Sequence, residues 1–308
     1  MLKAFLLIVV GLAGDPEHGA TFNKWGATLA EAAGRLGVEA ANVVYLGDPG
    51  EGATKARARA TRDQIEKAID GFASVAKPED AVFIVLIGHG SFDGREAKFN
   101  LPGPDMTPAD FNALLRRLPT RQVVFVDAAS ASGPFVAGLS GPGRTIITAT
   151  RSGAEQYATL FGGFFIDALT TDAADADKNH RVSMLEAFKY AKGEVAKAYE
   201  REGLLATEHA LLDDNGDKEG SAEPSLTTKD GTLAATLSLG SAADAAPLPA
   251  DPTLRALYVE RRDMERRVEA LRLLKAGMDP AKYQAEFEML VTTLALKTRD
   301  IRAIEGPK

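Results

Sequence analysis

The residues of this 308-residue chain best placed to do chemistry lie in two short stretches, Gly88-His89-Gly90-Ser91 and Asp127-Ala128-Ala129-Ser130-Ala131-Ser132-Gly133. Histidine is the side chain whose protonation changes near neutral pH, which suits it to acid or base work. Glycine on both sides of His89 lets the backbone turn sharply and lets a ligand approach it. In the second stretch, a hydroxyl sits at a turn whose free amide hydrogens could stabilise an oxyanion. Serine is a poor nucleophile unless a positioned base takes its proton. Bland readings stay open for both. The imidazole could merely cap a backbone group, and the small residues could let a turn pack while the serines cap the next helix.

Each stretch follows a run of aliphatic residues that reads as a core strand, Ala81–Ile87 and Gln122–Asp127. Further strands are expected at Phe5–Gly11, Asn42–Gly47 and Thr145–Ala149. Helical patterns fill the gaps: Thr21–Leu36, Arg59–Ala76, Thr107–Leu118, a short one after Pro134, Gln156–Leu169 and Ser183–Glu200. Continuous aliphatic runs alternating with helices imply a mostly parallel sheet covered on both faces. Sites in such sheets lie beyond the carboxyl ends of the strands, where both stretches fall. The opening Met1-Leu2-Lys3 and the apolar run Ala4 to Ala13 imitate a secretory signal. The pattern favours a buried first strand instead.

The paired loops resemble the legumain-type branch of the caspase-like cysteine peptidases. Members of that branch have a strand ending in His-Gly, followed by one ending in Ala-Cys-x-Ser-Gly. Ala129-Ser130-Ala131-Ser132-Gly133 matches the second motif without a gap and puts the nucleophile position at Ser130; alignment on Asp127 would put it at Ala129. Gly11-Leu12-Ala13-Gly14-Asp15, Asn100 to Asp105 and Thr148-Ala149-Thr150-Arg151-Ser152 are similar to bacterial members, so the resemblance spans roughly residues 5–215. It implies a three-layer α/β/α sandwich and a peptide or protein ligand. By the same resemblance, His89 is the acid/base, and the amides of Gly90 and Ser130 form the oxyanion site. Asp127, Ser132, Arg151 and Glu155 fall on the substrate side. Arg151 would take an acidic or amide side chain, unless it simply pairs with Glu155 one helical turn on. The family's nucleophile is a thiolate, and this chain has no cysteine. Nothing in the sequence obviously orients His89 towards Ser130 except Asp127, on the same strand as Ser130. The implied function is a homologue that is catalytically silent or weak and binds peptides. An active serine-type endopeptidase and a calcium-responsive adaptor are the alternatives.

A calcium-loop register fits Asp175, Asp177, Asn179, Ser183 and Glu186 at the first, third, fifth, ninth and twelfth positions. The carbonyl of Arg181 falls at the seventh. His180 stands where glycine normally permits the turn. The plain alternative is an acidic helix start capped by Ser183. Asp213-Asp214-Asn215-Gly216-Asp217 reads as a turn. His18 and His180 have no evident partner, and His209 reads as structural.

Hydrophobic residues make up 45% of the chain and charged ones 26%, as in a globular protein. The net charge of -7 argues against a nucleic-acid partner. No segment offers the roughly 18 apolar residues of a membrane span. The absence of cysteine excludes disulfides, thiolate metal sites and thiol catalysis together. No cofactor is required. Domain limits are expected at 1–240 for the α/β domain, 241–252 for a linker and 253–308 for a helical hairpin, with helices over 251–276 and 280–305. The region from Asp213 to Pro249 reads mostly as loop, with one more strand at Leu233–Leu239. The hairpin's apolar stripe would fold back on the domain or meet another chain, a second copy included. The family context leans towards an exported bacterial protein.

Overall fold

The computed structural model describes residues 3–48, 56–179, 181–239, 249, 251–274 and 278–305. The chain divides into two compact units, Met1–Ser241 and Ala242–Lys308. The segment read as a linker lies almost wholly outside the described residues.

The first unit is built on a six-stranded sheet. In chain order its strands are β1 (Ala4–Val10), β2 (Val43–Leu46), β3 (Ala81–Ile87), β6 (Gln122–Asp127), β7 (Arg144–Thr148) and β8 (Leu211–Asp213). Their spatial order is β2-β1-β3-β6-β7-β8. All neighbours pair in parallel except β8, which runs antiparallel to β7 with Thr148 opposite Leu211. A two-stranded ribbon, β4 (Gly90–Phe92) and β5 (Ala97–Phe99), rises directly after His89.

Burial on both faces explains the aliphatic runs. Leu6, Ile8, Val10, Phe83, Val85, Ile87, Val124 and Val126 share one core with α1 (Pro16–Ala32), α5 (Phe161–Thr170) and α6 (Met184–Glu202). The alternate residues Phe5, Leu7, Val9, Val82, Ile84, Leu86, Val123 and Phe125 share the other with α2 (Arg62–Val75), α3 (Pro108–Leu115) and α4 (Pro134–Leu139). The result is the expected α/β/α sandwich. Within the first core, half-buried Trp25 of α1 lies over Gly162 and Gly163 of α5, where a Cβ at Gly163 would come within 2.7 Å of the indole.

Four expectations change. Helix α5 starts at Phe161 rather than Gln156. Helix α1 starts at Pro16 rather than Thr21, because Asp15 caps it and Pro16 fits its first turn. Leu233–Leu239 is not a strand. Ala234–Thr236 forms a 3-10 turn that Asp214 holds by accepting the N–H groups of Gly231 and Ala234. Strand β8 and the β4–β5 ribbon, each of three-residue strands, were not anticipated.

The second unit is a hairpin of α7 (Pro252–Leu274) and α8 (Pro280–Glu305), started by Asp251 and Asp279, which cap Leu254 and Lys282. Val268, Leu271, Tyr283 and Leu290 form its core, with Tyr283 and Phe287 stacked. No helix among the described residues is long and apolar enough to cross a membrane.

Candidate active site

The parallel strands point their carboxyl ends to one edge, and the loops after β1, β3, β6 and β7 meet there. His89 leaves β3 partly buried. Its carbonyl accepts the N–H of Asn100, whose own carbonyl accepts the N–H of Leu12 in the β1–α1 loop. The ring packs on α1, with centroids 5.2 Å from Phe22 and 5.0 Å from His18, both edge-on. Partial burial and the charge of His18 push the His89 pKa down, against a hydrogen bond to the Ala13 backbone and the carboxylate of Asp15. One group that holds the imidazole is therefore the backbone of Ala13, an uncharged residue that carries no sequence signal.

Ser130 is 1% exposed. Its hydroxyl donates to the Gly90 carbonyl at 3.1 Å and accepts the Gly90 N–H at 3.2 Å. The amide expected in an oxyanion site is thus given to the serine itself. The contact demands glycine, because a Cβ at residue 90 would lie 2.2 Å from the Ser130 carbonyl oxygen. The next residue, Ala131, has a φ of 54°, a left-handed conformation that costs a non-glycine residue roughly 1–2 kcal/mol. Its N–H is held by the Glu155 carbonyl at 2.7 Å. Strain of this kind collects at functional loops.

Of the residues expected on the substrate side, two are committed inwards. Asp127 is buried, and its carboxylate accepts the N–H of Ala129 at 3.1 Å, so it serves its own loop rather than His89. Burial pushes its pKa up to about 8. Ser132 is buried against Thr150, joining the β6 and β7 loops. Arg151 and Glu155 do pair, at 3.1 Å, with the arginine side chain 62% exposed and the glutamate 12%. Glu155 also accepts Nδ1 of His209 at 2.7 Å and the His209 N–H at 3.1 Å. His209 therefore tethers the α6–β8 segment to the β7 loop. His18, without an evident partner in the sequence, has one: its Nδ1 lies 2.6 Å from Asp15 Oδ2.

Far along the chain, Asp175, Asp177 and Glu186 bring carboxylate oxygens within 4.8 Å of one another. Burial, with Glu186 and Asp175 nearby, raises the Asp177 pKa. Asn179 donates to Asp177, and Ser183 and Glu186 form a reciprocal cap on α6. The Arg181 guanidinium turns to Ser238 at 3.1 Å, and His180 lies outside the described residues. The donor set is all oxygen, as a hard cation requires.

The parallel sheet is closed by one antiparallel edge strand, and a histidine loop and a small-residue loop lie at adjacent strand ends. Residues 63–211, just under half of the chain, match the model of the peptidase C13 family. The matched segment contains both His89 and Ser130. Among solved structures, a secreted C11 cysteine protease from Bacteroides thetaiotaomicron, in complex with an irreversible peptide inhibitor, is similar at 14% identity and a TM-score of 0.37. That likeness covers 65% of this chain and 60% of the protease. No curated protein matches the chain.

Proposed function

We propose that this chain is a peptide-binding homologue of the caspase-like peptidases whose hydrolytic step is silent or slow, with Ser130 in the nucleophile position. The observation that carries this reading is the state of the Ser130 hydroxyl. Among the described residues its partners are the two backbone groups of Gly90, neither of which can take its proton. Nucleophilic catalysis by serine needs a base within hydrogen-bond reach, and no thiol exists in the chain to replace it. In this reading Arg151 is the residue available to an acidic or amide side chain of the peptide. Exposed Val259, Met289, Val291, Leu296 and Ile304 of the hairpin give apolar surface to a partner or a second copy.

The test is labelling with a fluorophosphonate alongside turnover of a peptide library. The expected result is no adduct on Ser130, little or no turnover, and a gain of turnover on Ser130→Cys. Labelling of Ser130, with turnover abolished by Ser130→Ala and by His89→Ala, would establish an active serine endopeptidase instead.

The convergence of Asp175, Asp177 and Glu186 supports a second reading, in which a calcium ion steadies the start of α6. Calcium is then expected to raise the melting temperature of the parent protein but not of Asp177→Ala. Equal curves with and without calcium would sink it.

A further inference from the structure

We propose that Asp15 and His18 form a positioning device for His89, in which Asp15 anchors the His18 ring and His18 controls the orientation and charge of the neighbouring imidazole. The inference deepens the reading of His89 as the residue through which protons would move. It begins at the start of α1, where Asp15 does two things at once. One carboxylate oxygen accepts the His18 N–H at 2.9 Å and caps the helix; the other holds His18 Nδ1 at 2.6 Å. The His18 ring is therefore not a free surface side chain. It meets His89 edge-on at 5.0 Å, and both rings rest on Phe22, at 5.6 Å and 5.2 Å. Two rings and a helix cap thus fix one face of His89, and the Ala13 backbone holds it from the loop before.

The charge consequence follows from the same arrangement. The charged groups that act on His89 are His18 and Asp15, both from the α1 side. A protonated His18, and the positive end of the α1 dipole beside it, both oppose a second charge on His89. This matters for a hydroxyl in the nucleophile position. A thiol hands its proton to the imidazole at rest and persists as an ion pair, whereas a hydroxyl keeps its proton until the moment of attack, so the imidazole must still be neutral then. His18 keeps His89 in that neutral form over more of the pH range. It touches no reacting atom and acts only through His89.

The experiment is a histidine titration by NMR on the full chain, with the His89 resonance identified by its loss in His89→Gln. Two variants separate charge from packing. His18→Asn keeps a donor towards Asp15, and His18→Phe keeps a ring against Phe22. In both, the His89 midpoint is expected to rise by about half a pH unit, the size of a repulsion between two charges some 5 Å apart in a watery setting. An unchanged midpoint in both variants overturns the proposal. So does a rise in His18→Asn that is absent in His18→Phe, because ring packing and not charge would then be the agent. The titration needs no turnover, so it reads the His18–His89 coupling even if the cleft proves catalytically silent. Where a preparation does turn over peptide, the acid limb of its pH profile should move up by the same amount.

Discussion

Asp127 is a buried carboxyl group at the end of β6 with one hydrogen-bond donor, the N–H of Ala129. Complete burial raises its pKa from the usual carboxylate range to about 8. The folded chain therefore keeps a proton that the unfolded chain gives up once the pH passes about 4. Stability linked to this group is intact below that point and is lost as the pH climbs towards 8. Asp127→Asn preserves an acceptor for Ala129 without the ionisation. Its unfolding free energy should match the parent in acid and exceed it by a margin that widens from about pH 4 to about pH 8. A variant less stable than the parent at every pH would mean that the carboxylate has a partner worth more than its burial costs. At this scale the sequence made His89 and Ser130 legible, because glycines and serines stand out after an aliphatic run. It did not reveal Ala13, whose contribution is a backbone group. Nor did it reveal the Asp15–His18 and Glu155–His209 pairs as pairs. The first needed the true start of α1, and the second bridges 54 positions of chain.

At the scale of elements, the parallel strands and their order along the chain were legible from burial alone. Every residue of β1 from Phe5 to Val10 is buried, and so is every residue of β3 from Val82 to Ile87. Caps were legible where the residue types are unambiguous. Thr107 and Asp110 form the reciprocal cap at the start of α3. Misreadings came where pairing decides the outcome rather than local pattern. Leu233–Leu239 alternates like a strand, yet Ala234 donates to Asp214, Thr236 and Leu237 close a turn, and contact with a neighbouring segment is limited to a bridge near Ser183 and Met184. Strand β8 is too short for any period to show, and it exists because β7 offers it an open edge. The same holds for the β4–β5 ribbon, whose pairing places Gly90 opposite Phe99 and so brings that glycine against Ser130.

For the whole molecule, the two units carry very different cores. The α/β unit buries two continuous aliphatic layers, whereas the hairpin relies on a small cluster around Val268, Leu271, Tyr283 and Leu290. Stability is not uniform across such a chain, and the unit with fewer buried contacts opens first. The packing of Trp25 on Gly162 and Gly163 makes that difference optically visible. It is the chain's one tryptophan, and it lies in the first unit. Tryptophan emission therefore reports on the sandwich, in which the indole is packed, while far-ultraviolet ellipticity sums the helices of both units. In a denaturant titration the ellipticity should begin to fall before the emission changes, and superimposable curves would show a single cooperative unit. The indole also touches Phe22, the ring shared by His18 and His89, with centroids 5.6 Å apart. Its emission thus gives a label-free window onto the cleft, in which a ligand settling against the histidines has a native fluorophore close by to announce it.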